Sequence, residues 1–298
     1  MRSRPIAAHA SRGAALAHPL GVTRWLILTL LLSSPSPAAA QSRVVAQQRL
    51  VGVVEPMGAE HMAAVAVRAD LGDPSEPLFT GAHAEAGVVN HTSPIYTMTG
   101  GYLQVSPIAL LQLRAQLTSV NVWPIGTDGA GYYPSQDGAL PDLSAAAGGD
   151  ASGFSFLVSG VLQGAVPIGD ARLVLWSELS WEHLRLGDAP HHFSARHDTV
   201  LARQDDVIGD WSMLMLELPI ARGVVLRFGA YDNVRHVPRS GWLSNQLGAV
   251  VMLSADDPIP EVGHVLPFVR VGAYTNHPRR AGDPTALFGV MVRYELAR

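Results

Sequence analysis

From Leu287 to Leu296 the chain alternates between two kinds of side chain without a break. Phe288, Val290, Val292, Tyr294 and Leu296 take one parity, and Gly289, Met291, Arg293 and Glu295 take the other. Successive residues of a strand point to opposite faces, so this stretch predicts a strand with one apolar and one polar side. Looser alternation of the same kind, punctuated by Gly and Pro, predicts strands at 43–54, 62–71, 79–89, 95–105, 110–123 and 154–166. Further strands are predicted at 172–185, 211–218, 222–234, 245–254, 265–275 and 286–296. No long amphipathic helix fits between them. The expected fold is all-β: a single antiparallel up-and-down barrel of about twelve strands, within a range of about ten to fourteen.

Connection lengths sort in step with the strands. Counting back from the C-terminus, the connections at 219–221, 167–171 and 106–109 are short, and those at 124–153, 186–210, 235–244 and 276–285 are long. The connection at 255–263 breaks the alternation. Short turns at one end and long loops at the other, an even strand number and an alternating final strand resemble the bacterial outer-membrane β-barrels as a broad class. That resemblance implies a transmembrane barrel in the outer membrane, surrounded by its lipid and lipopolysaccharide and delivered to the barrel-assembly machinery through the C-terminal strand. It implies a passive pore for small polar solutes or a structural envelope protein, with no catalytic role and no cofactor. An outer-membrane lipid-modifying hydrolase and a surface binding protein using the long loops are the alternatives. A soluble barrel with its apolar face inward is the rival fold.

The N-terminal end agrees with export. Arg2, Arg4, Arg12 and Arg24 precede the apolar run Trp25–Leu32, and the small residues up to Ala40 offer a cleavage site. The run is well short of the ~20 residues of a membrane-spanning helix. The domains expected are therefore a signal peptide, 1–40, and a barrel, 41–298, with outer loops 124–153 and 186–210. The chain is 48% hydrophobic but only 15% charged, below the ~25% usual in soluble domains. A net charge of −4 argues against nucleic acid as a partner. Cys is absent, so there is neither a disulfide nor a lipidated cysteine. Aromatics are sparse at 7%. Trp123, Trp176, Trp181, Trp211, Trp242, Tyr231 and Tyr274 fall near predicted strand ends, where they would supply part of an interfacial girdle.

If the apolar parity faces lipid, the other parity lines a lumen. The candidate lining residues are Arg68, Asp70, Glu85, Arg114, Glu178, Glu182, Glu217, Arg227, Arg270, Arg293 and Glu295, with His83 beside them. A charge in a narrow lumen has to be hydrated or paired, since desolvation alone costs several kcal/mol. The set fits either an internal ladder of ion pairs or a charge-lined constriction. Of these cations, Arg114, Arg227 and Arg270 are the ones expected to set ion selectivity. Gly229, on the same parity, is expected to tolerate Ser.

The long loops offer less. Tyr132 and Tyr133 could anchor the first over the mouth. The Gly-rich run before them lacks the following helix of a phosphate cradle. The second loop carries His183, Asp188, His191, His192, His197 and Asp198, expected as solvated side chains and not as a metal site. Ser159, Ser180, His83, His183 and His264 lie on strands without a local nucleophile motif, so no catalytic residue is assigned.

Overall fold

The computed structural model describes residues 42–54, 58–73, 75–123, 132–133, 150–188, 191–194, 196–255 and 263–297. The expected signal peptide lies outside the described residues. Twelve strands close into a barrel. In chain order they are β1 (Ser42–Val53), β2 (Gly58–Asp70), β3 (His83–Thr92), β4 (Tyr96–Ile108), β5 (Leu111–Val122), β7 (Ala151–Ile168), β8 (Ala171–Leu186), β11 (Gln204–Ala221), β12 (Val224–Val237), β13 (Trp242–Ala255), β14 (His264–Asn276) and β15 (Pro284–Ala297). Each pairs antiparallel with its neighbours, and β1 pairs with β15 from Val44 opposite Ala297 to Val53 opposite Leu287. Three short strands, β6 (Tyr132–Tyr133), β9 (His191–Ser194) and β10 (Thr199–Ala202), form a separate sheet in the order β10-β9-β6.

Both described termini lie at one end of the barrel. At this terminal end three connections are tight turns, at Ala109–Leu110, Gly169–Asp170 and Arg222–Gly223, whereas 71–82 is longer and holds a 3-10 turn at Pro77–Phe79. Gly169 and Gly223 take positive φ, which only glycine adopts without strain. For that reason the last turn falls at Gly223, and β11 runs on through the expected turn 219–221. The two longest connections, between β5 and β7 and between β8 and β11, lie at the opposite, loop end, whereas the expected long loop 235–244 shortens to 238–241. The second is more structured than expected. Within 186–210, β9 and β10 make a hairpin, and β11 already starts at Gln204. Three aspartates, Asp205, Asp206 and Asp210, disguise that strand's alternation.

The two faces separate by parity. Val88, Leu103 and Leu179 are each 62% exposed on the exterior, whereas Val89, next to Val88, is 2% exposed and packs inside with Met62, Ala64 and Tyr102. Leu50, Val67, Leu117, Leu162, Leu214, Phe228, Val251, Val271 and Phe288 continue the apolar exterior. The final strand follows its predicted parity. Phe288 is exposed outside, while Met291 meets Gln47 and Arg293 meets Glu85 within the barrel.

Most of the aromatics expected in a girdle point inward instead. Trp176, Trp211 and Tyr231 pack around Met213, Met215 and Val250, and Trp242 packs with Leu184, Leu201 and Val237. Tyr274 is 1% exposed. Parity, not nearness to a strand end, decides this: Trp176 shares its face with Glu178 and Glu182. Trp181 lies on the outer wall, edge-on to Phe156 at 6.0 Å, and Trp123 at the end of β5 donates to the Pro94 carbonyl.

The expected tolerance at Gly229 also fails. A Cβ there would lie 2.0 Å from the Leu214 carbonyl oxygen, so the strands leave no room for one. Leu226→Arg and Val292→Arg put a charge on the apolar exterior and should each lower stability by about 2–4 kcal/mol near a bilayer midplane. Gly229→Ser should now be damaging as well. Denaturant unfolding of the barrel in liposomes measures all three, and unchanged midpoints for the arginine variants would contradict the assignment of faces.

Candidate functional site

Contacts between strands that are not neighbours identify the concave face, because only side chains inside the barrel can make them. Arg293 on β15 reaches across β1 and β2 to Glu85 on β3 at 2.6 Å. Glu85 also meets His83 at 3.4 Å, Arg68 at 3.8 Å and the Tyr102 hydroxyl at 3.1 Å. Beside it, Asp70 accepts from Arg43 at 2.9 Å and lies 3.5 Å from Arg68, and Arg43 bridges to Glu295 at 2.9 Å. Across the barrel, Glu217 sits between Arg172 and Arg227, the latter at 2.7 Å, and Arg227 also donates to Ser254. These two clusters bring together Arg68, Asp70, Glu85, Arg293 and Glu295 on one wall, and Glu217 and Arg227 on the other. Both lie toward the terminal end.

Arg114, Glu178 and Arg270 stand apart from this pairing. Arg114 lies 4.1 Å over the Tyr102 ring and donates to Gln116 at 2.8 Å. Arg270 lies between Trp211 and Tyr231, 5.0 and 4.9 Å from the ring centroids, and among the described residues its buried Nε has no hydrogen-bond partner. Tyr231 can slide beneath it because Gly248 and Gly272 leave space. A Cβ at Gly272 would meet the Tyr231 hydroxyl at 2.6 Å. Among the described residues neither arginine contacts a carboxylate, and Glu178 contacts no cation.

At the loop end the pattern changes again. Glu60 accepts from Tyr96 at 2.5 Å and lies 2.9 Å from Arg49 and 3.3 Å from His91. Glu182, 4% exposed, accepts from Ser155 at 2.5 Å and holds two residues of the β9–β10 tip, Arg196 at 3.2 Å and His197 at 3.0 Å. The third tip residue, Asp198, accepts from the Tyr274 hydroxyl at 2.7 Å and lies 3.3 Å from Arg280. Its carbonyl accepts from His277 at 3.1 Å, and the Arg196 carbonyl accepts from Arg235 at 3.1 Å. The hairpin therefore folds into the mouth, and its tip is tied to β8 on one side and to β12 and β14 on the other.

Three of the six loop residues expected to be solvated are instead buried, while the Asp188 side chain is exposed. His192, His197 and Asp198 are 3, 7 and 4% exposed. Burial would raise the Asp198 carboxyl, but His277, Tyr274 and Arg280 hold it below its ordinary range. Burial would likewise lower the Arg196 guanidinium, yet Glu182 and Glu60 carry it above its usual value. Among the described residues no group of three His, Asp or Glu side chains is placed to hold a metal ion. Tyr132 and Tyr133 do engage the second loop, pairing through their backbones with His192 and His191.

A closed barrel of even strand number, apolar outside and polar within, is a transmembrane solution for strands. This is the architecture of an outer-membrane β-barrel. No protein-family model matches the sequence, and no curated protein does. Among solved structures, the translocator domain of the autotransporter NalP from Neisseria meningitidis is 13% identical, with 91% of this chain and 93% of that one covered and a TM-score of 0.43. The β domain of the Bordetella autotransporter BrkA is 13% identical over 85% of this chain and 98% of that one, with a TM-score of 0.42. The COG4313 outer-membrane channel from Pseudomonas putida F1 is 8% identical over 88 and 100%, with a TM-score of 0.38.

The sequence reading missed the tip residues Ser194 and Arg196 as members of the mouth. Ser194 Oγ lies 2.7 Å from His197 Nδ1. A Ser-x-x-His spacing was the visible signal, but Glu182 completes it from another element.

Removing one partner from a buried ion cluster strands the others. Glu182→Ala should cost about 3–5 kcal/mol, whereas Arg270→Ala, which loses only ring contacts, should cost about 1–2 kcal/mol. Urea unfolding in liposomes ranks the two, and the reverse order would contradict the pairing scheme.

Proposed function

We propose that the protein is a pore of the outer membrane for small anionic solutes, closed at its outer mouth by the β9–β10 hairpin. In this reading residues 1–40 are removed on export, the termini face the periplasm, and the final strand is what the assembly machinery engages. The apolar exterior supports the membrane address, since such a surface is stable in lipid and a liability in water.

One observation carries the solute reading: among the described residues Arg114 and Arg270 form no ion pair with a carboxylate, while Arg43, Arg49, Arg68, Arg172, Arg227 and Arg293 each meet an acid and Arg235, at the mouth, donates to the Arg196 carbonyl. A purely structural ladder would pair these two as well, because an unpaired desolvated charge destabilises the fold. Arg49 lies within electrostatic reach of both, and Glu85 and Glu178 lie within reach of Arg114 without pairing with it. Fixed positive charge in a narrow passage raises the local concentration of anions and rejects cations.

Planar-bilayer recordings test this with the full chain and with a variant whose residues 191–202 are replaced by a short Gly-Ser link. The full chain should be silent or open only briefly, and the variant should give a steady current that favours anions. Arg270→Ala in the variant should shift selectivity toward cations. Silence in both proteins would leave a sealed structural barrel as the account.

A further inference from the structure

The hairpin tip holds a hydroxyl, an imidazole and a carboxylate in series. Ser194 Oγ is 2.7 Å from His197 Nδ1, and His197 Nε2 is 3.0 Å from Glu182 Oε2. An ionised Glu182 can only accept, so the ring proton resides on Nε2 and Nδ1 is left with a lone pair facing the Ser194 hydroxyl. Burial lowers the His197 imidazole below its ordinary value, outweighing the pull of Glu182, so the ring is a neutral base at pH 7. A turn bond between Ser194 and His197 would account for the first contact alone. It would not account for what lies next to it.

Ser194, His197 and His192 line a cavity of about 30 Å³ whose other walls include Met98, Val120 and Leu184. On the measure by which roughly 10–15 Å³ holds one water, this space takes an acyl group of acetyl size. His192 lies two residues before Ser194 on β9, hence on the same strand face. It is 3% exposed, and among the described residues neither ring nitrogen has a hydrogen-bond partner. Burial, with His197 and His191 close by, lowers it to about 4, so it is neutral and keeps one N–H. An uncommitted buried N–H beside a hydroxyl and base is what a developing oxyanion requires.

We propose that Ser194 and His197, positioned by Glu182 and with His192 as oxyanion donor, form an esterase site for small O-acetyl esters entering the outer mouth. Ser194 Oγ would bond to the ester carbonyl carbon as its proton moves to His197 Nδ1. Collapse would break the bond to the leaving alkoxide, which takes that proton. Water would then attack the acyl-serine by the same route, releasing acetate and restoring the hydroxyl. The site does not depend on whether the barrel conducts.

The test uses the full chain in detergent with methanesulfonyl fluoride, a probe small enough for the cavity, which forms a serine sulfonate and releases fluoride. Peptide mass mapping should find the adduct on Ser194, and p-nitrophenyl acetate should be hydrolysed at least about ten-fold faster than by Ser194→Ala. Glu182 is a positioning residue, so Glu182→Gln should slow labelling and move the midpoint of its pH profile downward. The charged and titratable groups facing His197 are Glu182 on β8, Arg235 on β12, His192 on β9 and Arg196 beside it. Of these, only Glu182 is changed. No adduct on the unmodified protein, an adduct elsewhere, or equal turnover by a folded Ser194→Ala barrel would overturn the proposal. An unmoved pH midpoint in Glu182→Gln would overturn the role given to Glu182.

Discussion

The pairing of β1 with β15 is the constraint on which every other feature depends. Lipid offers no hydrogen bonds, so a strand at a sheet edge would carry a row of unsatisfied N–H and C=O groups. Closure from Val44–Ala297 to Val53–Leu287 removes that edge. It also divides the chain into an inside and an outside by residue parity alone. Once β15 is seated, Arg293 must face inward and Phe288 outward, and a shift of one residue would exchange them. The same parity sends Trp176, Trp211 and Tyr231 into the interior to pack around Met213 and Met215, which gives one wall of the lumen an aromatic lining opposite an ionic one.

Inside, buried carboxylates do most of the organising. Glu85, Glu217 and Glu182 are 6, 5 and 4% exposed, and each gathers at least two positively charged or hydrogen-bonding partners. The first two each tie together the strands of one wall near the terminal end. Glu182 instead reaches into the mouth and, with Asp198, ties down the hairpin tip. Asp198 holds φ at 50°, an uncommon backbone state for a residue other than glycine. That strained residue accepts from Tyr274, so the tip's conformation and its attachment to the wall are set together.

Alternation made the barrel legible from sequence, because a strand with one face in lipid has to repeat with period two. The final strand shows this without fault. The parity of Arg68, Arg114, Glu178, Arg227 and Arg270 could be read in the same way, but their partners could not. Glu85 and Arg293 are neighbours only after the barrel closes. The mouth was hidden for a different reason. β9 and β10 are too short to show a period, and His192, His197 and Asp198 are polar residues whose burial depends on Glu182, Tyr274 and His277 from distant strands. Likewise, the alignment of Ser194 and His197 with Glu182 is a product of the tip's insertion and leaves no trace as a continuous motif.

An inserted hairpin is the claim that joins the lumen, the mouth and the Ser194 cluster, and the absence of cysteine from the chain makes it directly measurable. Leu201 on β10 is fully buried, whereas Arg239 at the neighbouring loop is exposed. Single cysteines at these two positions, treated with a membrane-impermeant maleimide, report where the hairpin sits. The account predicts that Arg239→Cys reacts at once while Leu201→Cys stays protected until the barrel is unfolded. Equal, rapid labelling of both in the folded barrel would show that the hairpin stands outside the mouth and would contradict it.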